Sequence, residues 1–272
     1  MITAATHVYG VMGYPVSHSL SPVMFNQAFT ETAYNGVYVA FTVASHVDGA
    51  KAIRSLGIKG ASITIPHKIS ILELMDELDP LAERIGAVNT VINQDGRLKG
   101  YNSDSLGAVN ALEEATSLHD KQVTIIGAGG AARAVGSGVQ SRGARLTIVN
   151  RTPSTGENLA MDLNADFIPL SDIRNLSCDI LINTTSVGMT PHIHQSPVPS
   201  TLFTPDLLVM DIVYSPLKTL FLQYAENAGC QIIDGLSMFI HQAVFQFELW
   251  TGISAPRTVM KNAVMSVLNL SR

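Results

Sequence analysis

The chain has 272 residues, enough for one large domain or two smaller ones. Hydrophobic residues make up 46% and charged residues 14%, so material for a buried core is ample, yet the apolar runs are too short for a membrane-spanning helix. A net charge of −5 with no basic block argues against nucleic acid and anionic membrane as partners.

The N-terminus, Met1 to His7, lacks the basic start and long apolar stretch of a secretory signal. His7–Met12 reads as a first strand running into a serine-bearing loop, where Ser21-Pro22 has the form of a helix cap followed by proline at the first helical position. A helix to about Thr32, a strand over Val37–Val43 and a helix over His46–Leu56 follow. Gly60–Ile65 reads as a third strand closed by Pro66, with a helix expected over Ile69–Leu78. Gly86–Asn93 reads as a strand entering the Asp95-Gly96 turn, and Leu98–Tyr101 pairs back on it. Asn102-Ser103-Asp104 then caps a helix reaching about Glu114. This half alternates strand and helix on its own account, and Leu118–Lys121 reads as a surface turn beyond it.

Gln122–Ile126 is a short β-branched run, followed by Gly127-Ala128-Gly129-Gly130-Ala131-Ala132-Arg133 and a weakly helical stretch ending near Gly143. Strand, glycine-rich turn and helix form the context of a dinucleotide site: Gly127 permits the tight turn, Gly129 lets a pyrophosphate approach the backbone, and Ala132 takes the third small position. The helix start offers N–H groups and the positive end of a dipole to phosphates. The next strand, Arg145–Val149, ends in Asn150-Arg151-Thr152, with no acid to hold a ribose 2′-hydroxyl. Arg151 would attract a 2′-phosphate, which favours NADP over NAD. A helix from Pro153 to Leu163 capped by Thr152, and strands near Phe167-Ile168, Asp179–Asn183, Leu207–Val213 and Gln231–Ile233, complete a parallel sheet. Leu236–Arg272 reads as two helices broken near Gly252–Pro256, too many residues for the last element of that sheet and free to return to the first half.

Cys178 and Cys230 each precede a strand-like run and read as buried, reduced thiols of a cytoplasmic protein. No cysteine–histidine spacing resembles a metal site, and His192 and His194 read as loop residues among prolines. Lys68 follows a strand and a proline, at the sheet rim where α/β proteins bind ligands. Asp104 sits at a helix start, and Asn89 is an amide in an apolar run that must find partners.

Together these segments resemble the shikimate dehydrogenase family. Gly13 to Pro22 is similar to its G-x-P-x-x-H-S-x-S-P signature, Thr64–Lys68 to T-x-P-x-K, Gly86–Thr90 to G-A-V-N-T and Asn102–Asp104 to N-T-D. Gly127–Arg133, Asn150–Thr152, Asn183–Met189 and Asp234–Leu236 with Gln242 continue the resemblance in order along nearly the whole chain. The resemblance implies an α/β protein of two domains: a discontinuous substrate and catalytic domain, 1–103 with 238–272, and a Rossmann-type NADP-binding domain, 104–237. It implies reversible hydride transfer between NADP and the ring 3-position, interconverting shikimate and 3-dehydroshikimate on the route to chorismate and the aromatic amino acids. Lys68 and Asp104 would form the catalytic pair. Ser17 and Ser19, helped by Tyr214, would bind the substrate carboxylate, and Thr64, Asn89, Asp104 and Gln242 the ring hydroxyls. Gly127, Ala128, Gly129, Gly130, Ala131, Asn150, Arg151, Thr152 and Gly235 would hold the cofactor, with no metal. The expected partner is a small molecule, the expected assembly a monomer or homodimer.

Three departures bear on these roles. Ser103 stands where the family pattern has threonine, and Ser105-Leu106-Gly107 where D-G-x-G is usual, both beside Asp104. Ser154-Thr155 stands where many NADP-using members add a second basic residue, which leaves NAD a second candidate cofactor. Paralogues acting on quinate or amino-shikimate, and a non-catalytic nucleotide-binding sensor, are the alternative readings. Presence of Ser17 and Ser19 favours shikimate, and presence of Lys68 and Asp104 favours an enzyme.

Overall fold

The computed structural model describes residues 2–175 and 177–270; Met1 of the predicted N-terminal segment and Ser271 and Arg272 of the predicted last helix lie outside them. The chain divides into two compact α/β units, one running to Ser103 and resuming at Gln242, the other Asp104–His241.

In the first unit β1 (His7–Gly13), β2 (Gly36–Thr42) and β3 (Gly60–Ile63) are parallel. A hairpin of β5 (Thr90–Gln94) and β6 (Arg97–Tyr101) joins β3 in the antiparallel sense, and β4 (Glu77–Leu78) closes the sheet in the order β2-β1-β3-β5-β6-β4. The hairpin turn holds Asp95 and Gly96 at φ 52° and 95°, the left-handed pair such a turn needs. One face of β3 sends Ala61 and Ile63 into a core with Met12, Ile53, Val88 and Val91. The other face carries the small residues Gly60 and Ser62 toward the returning chain, where Trp250 fills the space a Gly60 side chain would need.

Helices α1 (Ser21–Glu31) and α2 (His46–Ser55) follow β1 and β2. Ser21 is the first residue of α1, not its cap; the helix begins one residue earlier than the Ser-Pro pair suggests, and the Ser19 hydroxyl accepts the Ser21 N–H at 3.3 Å. The helix expected over Ile69–Leu78 is absent: a short 3₁₀ turn, Leu72–Leu74, leads into β4. Tertiary pairing overrides propensity here, because the Asp76 carboxylate accepts from Leu98 N–H (2.7 Å) and Arg54 (2.8 Å) and draws the segment onto the sheet edge. The helix in this region is α3 (Pro80–Ile85), capped by Asp79 and ended by Gly86 at φ 69°. Gly86 and Asn89 therefore precede β5 and do not form part of it.

The second unit is a wholly parallel sheet in the order β12-β11-β10-β7-β8-β9, built from β7 (Gln122–Ile126), β8 (Arg145–Asn150), β9 (Asp166–Pro169), β10 (Ile180–Asn183), β11 (Leu208–Asp211) and β12 (Gln231–Ile233). This is the doubly wound dinucleotide-fold order, whose reversal point lies between the first strand, β7, and the fourth, β10. Alternate residues feed opposite faces: Val123, Ile125, Ile180 and Ile182 meet Val109, Leu112, Val135 and Val139, while Ile126, Leu181 and Val209 meet Phe221, Leu222 and Ala225. The first face is covered by α4 (Ser103–Glu113) and α5 (Gly130–Ser141), which approach closely because a side chain at Gly138 would meet Ser105 Oγ at 2.6 Å. Helices α6 (Pro153–Asp162) and α7 (Leu220–Asn227) link later strands. Then α8 (Gly235–Thr251) and α9 (Arg257–Leu270) end the described chain. The second unit extends to His241 rather than 237, because α8 is one continuous helix whose Met238 packs into the core of the second unit. From Gln242 onward the same helix belongs to the first unit, burying Phe247 and Trp250 beside Tyr9, Phe25 and Phe29.

Among the described residues no helix is long and apolar enough to cross a membrane, and no cluster of histidine, cysteine or acidic groups could hold a metal ion.

Candidate active site

In the first unit the carboxyl ends of β1 and β3, the start of β5 and the end of β6 lie on one edge of the sheet, since Ser62 pairs with Thr90 and Thr90 with Tyr101. The loop after β1 carries Ser17 and Ser19; its Tyr14 N–H bonds Ile65 O at 3.0 Å, and Gly13 leaves room for the Thr64 side chain. Ser17 is exposed and Ser19 half-buried. Thr64 follows β3, and the turn after it puts the half-buried Lys68 beside buried His67, whose Nε2 donates to Val43 O at 2.6 Å. The Lys68 carbonyl accepts from Val88 N–H (2.8 Å), and Asn89 O from Ile63 N–H (2.7 Å), so the backbone holds 63–68 against 88–89.

Asn89 is 2% exposed, and its Oδ1 accepts from Thr90 Oγ1 (2.7 Å), Ser103 N (2.7 Å) and Ser103 Oγ (3.1 Å). The first N–H of α4 is thus capped by a side chain from another segment. Asn102, read as part of the cap, sends Nδ2 to Ala87 O at 3.0 Å, and Asp104 lies inside the first turn. A carboxylate there is favoured by the helix dipole. Gln242 Oε1 accepts from Ser103 Oγ at 3.1 Å, so Gln242 and Asn89 share one serine. The structure thereby gathers Ser17, Ser19, Thr64, Lys68, Asn89 and Gln242 in the first unit. Asp104 and Tyr214 belong to the second, where the Tyr214 ring stacks on Phe239 at 4.4 Å between centroids.

The second unit presents the carboxyl edge of its parallel sheet. Gly127 stands at φ 120°, a conformation that favours glycine, and a side chain there would meet Thr184 Oγ1 at 2.6 Å across the reversal point. A side chain at Gly129 would meet no protein atom within 4 Å: the space over the start of α5 is open. The first α5 bond to a flanking residue is Arg133 N–H to Gly129 O, so the N–H groups of Gly130, Ala131 and Ala132 face that space. A dinucleotide pyrophosphate fits such a cradle. Ala132 is fully buried, as the third small residue should be. At the end of β8, Asn150 Nδ2 donates to Thr152 O (2.9 Å), while Thr152 takes the cap position of α6 without a side-chain bond. Arg151 is exposed and, among the described residues, pairs with no carboxylate, unlike Arg133, which binds Asp162 at 2.6 Å. Gly235 opens α8 against the backbone of Ile212 and Val213, which leaves no room for a side chain.

Two sets of buried polar groups were not foreseen from the sequence. Asp211, fully buried at the end of β11, accepts from Thr219 Oγ1 (2.6 Å), Val213 N (3.0 Å) and Asn183 Nδ2 (3.0 Å); burial pushes its carboxyl up to about 7 against these bonds. Gln246, 1% exposed, joins Ser62, Thr90 and Ser103. The signal was available: Gln242, Gln246 and Trp250 recur every fourth residue and so share one helix face.

Three family models match the chain: the shikimate dehydrogenase substrate binding domain over residues 11–91, shikimate/quinate 5-dehydrogenase over 110–215, and the shikimate 5′-dehydrogenase C-terminal domain over 235–265. The shikimate dehydrogenase (NADP(+)) of Methanothermobacter thermautotrophicus is 42% identical, covering 99% of each chain. The crystal structure of shikimate 5-dehydrogenase from Thermus thermophilus in complex with NADP(H) and shikimate is 34% identical, with a TM-score of 0.88 over 96% of this chain and 99% of that one. The quinate dehydrogenase from Corynebacterium glutamicum in complex with NAD is 29% identical, with a TM-score of 0.87 over 96% and 99%. With relatives above 40% identity along its full length and the two-unit α/β fold just described, the chain belongs to the shikimate dehydrogenase family.

Proposed function

We propose that the protein is an NADP-dependent shikimate dehydrogenase, interconverting 3-dehydroshikimate and shikimate in the biosynthesis of chorismate and the aromatic amino acids. The observation that carries this reading is the side-chain edge of the first unit. Ser17, Ser19, Thr64, Lys68, Asn89 and Gln242 all belong to that unit and supply hydroxyl, amide and ammonium groups suited to a polyhydroxylated ring acid.

NADP, when bound, supplies or accepts the hydride at the ring 3-position. The residues do the rest. Ser17 and Ser19, with Tyr214, hold the ring carboxylate; Thr64, Asn89 and Gln242 hold the hydroxyls. Reduction of the ketone leaves negative charge on oxygen, which the Lys68 ammonium stabilises and protonates. The Asp104 carboxylate holds the lysine and orients the adjacent hydroxyl. In the oxidation direction the lysine, as free amine, takes the hydroxyl proton. The cradle of Gly127, Ala128, Gly129, Gly130 and Ala131 would hold the pyrophosphate. Asn150, Arg151 and Thr152 would hold the adenosine ribose, Arg151 pairing with its 2′-phosphate, and Gly235 would let the chain approach the cofactor closely. The reading extends to a cytoplasmic enzyme, monomeric or homodimeric, without nucleic acid or membrane as partner.

The test is initial rates with shikimate and quinate, each against NADP and NAD. The expected result is the highest kcat/KM for shikimate with NADP. Highest turnover of quinate with NAD would move the chain to the quinate branch, and inertness of a folded, NADP-binding protein toward all four combinations would make it a sensor.

A further inference from the structure

On the face of the first sheet opposite the apolar core, the buried polar side chains form one continuous line. Tyr38 OH donates to Ser62 Oγ at 2.7 Å, and Ser62 Oγ donates to Gln246 Oε1 at 2.8 Å. Gln246 Nε2 donates to Thr90 Oγ1 at 2.8 Å and to Ser103 Oγ at 3.1 Å. A hydroxyl that has accepted an amide N–H turns its own proton onward. Thr90 donates to Asn89 Oδ1, and Ser103 lies 3.1 Å from both Asn89 Oδ1 and Gln242 Oε1. Thr90 Oγ1 and Ser103 Oγ also lie 3.1 Å apart, and apart from that contact the donors run toward the edge that carries Asn89 and Gln242.

The direction has a consequence for the two amides. Donors converge on Asn89 Oδ1, and a flipped Asn89 would set its NH₂ against Thr90 and the Ser103 N–H. Its oxygen is therefore fixed toward Thr90 and Ser103, and its NH₂ is turned away from them. Gln242, with Oε1 turned to Ser103, is oriented by the same hydroxyl. Thr90 and Ser103 are 0% exposed and Gln246 1%, so no water competes for these bonds. The pattern follows from α8, on which Gln242, Gln246 and Trp250 stand level with Ser103, with Ser62 and Thr90, and with Gly60 and Val91.

We propose that Gln246 is a positioning residue: its carboxamide, acting through Thr90 and Ser103, fixes the orientation in which Asn89 offers its NH₂ to a ring hydroxyl oxygen of the substrate. The proposal rests on the reading of Asn89 as a substrate-binding residue. Gln246→Glu keeps the shape and, when ionised, turns a donor into an acceptor, drawing the Thr90 and Ser103 protons away from the two amides. In the full-length enzyme, shikimate KM should rise about tenfold, the loss of one or two neutral hydrogen bonds. Affinity for NADP should stay unchanged. The ratio of variant to wild-type KM should widen between about pH 6 and about pH 9 as the buried glutamate ionises. Combined with Asn89→Ala, the substitution should add less than it does alone, because both act on one contact. Gln246→Met, which cannot ionise, should raise KM without the pH trend and serves if the glutamate variant does not fold. If Asn89→Ala raises KM while both Gln246 variants leave it unchanged, Gln246 only fills the core and the positioning role is overturned. If Asn89→Ala itself leaves shikimate KM unchanged, the underlying substrate reading fails instead.

Discussion

The two units present carboxyl edges of different construction. In the second unit the edge is made by the main chain: Gly127 folded at φ 120°, the open N–H groups at the start of α5, and a parallel sheet whose order reverses between β7 and β10. In the first unit the edge is made by side chains: Asn89, Thr90, Ser103, Gln242 and Gln246 hold one another across more than a hundred residues of sequence. A backbone cradle recognises phosphate, which is common to many ligands. A side-chain lattice recognises the stereochemistry of one ring. On the proposed function the difference divides binding of the general cofactor from choice of the particular substrate, and each substitution below tests one edge.

The largest effect is expected at Lys68. Lys68→Met should lower kcat by roughly 10²–10⁴-fold, the range for loss of a general acid–base group. NADP affinity should be unchanged and shikimate KM shifted far less than kcat, which steady-state kinetics and a cofactor titration would separate. A folded variant keeping more than about a tenth of wild-type kcat would break the assignment on that same scale.

The same contrast explains what could be read from the sequence. The glycine-rich turn, its flanking strand and helix, and Arg151 are contiguous, so spacing alone locates them. Lys68 and Asp104 drew notice from their places at strand and helix ends, and their roles came from resemblance. The spacing of Gln242, Gln246 and Trp250 was legible, but their partners were not, because Ser62, Thr90 and Ser103 are ordinary small residues until the fold stacks them under α8. The strand β4 was missed for a like reason: Leu72–Leu78 is helical in composition, and only Asp76 bonding to Leu98 and Arg54 turns it to the sheet. An acceptor for the first N–H of α4 comes from Asn89, a partner that sequence neighbourhood cannot reveal.

One side chain is an exception within the backbone-built edge, and pH should expose it. Asp211 ties β10 to the chain after β11 through Asn183, Val213 and Thr219, and burial raises its carboxyl from 3.8 to about 7. Between those values the folded carboxyl keeps a proton that the unfolded chain has released, so this group's contribution to stability falls as pH rises. Asp211→Asn has no such titration. Urea unfolding of both proteins should show the wild-type advantage over the variant shrinking by on the order of 3 kcal/mol from about pH 4.5 to about pH 7.5. A difference independent of pH would show Asp211 ionised throughout.

On the same edge, Arg151→Ala should weaken NADP by roughly 10–100-fold, the equivalent of about 1.5–3 kcal/mol for a charge-assisted bond, with NAD little affected. Equal losses for both cofactors, measured by fluorescence titration, would remove Arg151 from the 2′-phosphate. The two glycines sharpen this further. A methyl at Gly129 meets no protein atom, so Gly129→Ala should leave stability within about 0.5 kcal/mol while raising the Kd for NADP about tenfold by crowding the pyrophosphate. Gly127→Ala, at φ 120° and against Thr184, should lose stability as well, by roughly 1–3 kcal/mol. Thermal unfolding without ligand distinguishes them, and a destabilised Gly129→Ala would mean that the cradle is a packing feature.

The smallest effect returns to the first unit and compares two serines of one loop. Ser19 is engaged locally: its Oγ accepts the Ser21 N–H at 3.3 Å and donates to Ser21 Oγ at 3.2 Å, supporting the start of α1. Ser17 is exposed and, among the described residues, has no such bond. A hydroxyl–carboxylate bond contributes on the order of 1–3 kcal/mol when buried and less at an open rim, so Ser17→Ala should raise shikimate KM several-fold. NADP affinity and thermal stability should not move. Ser19→Ala should raise KM and also lower stability by about 0.5–1 kcal/mol, because the helix start loses an acceptor. If Ser17→Ala changed cofactor affinity and left shikimate KM alone, the serine loop would serve the dinucleotide, and the division of labour between a side-chain edge for substrate and a backbone edge for cofactor would not hold at this loop.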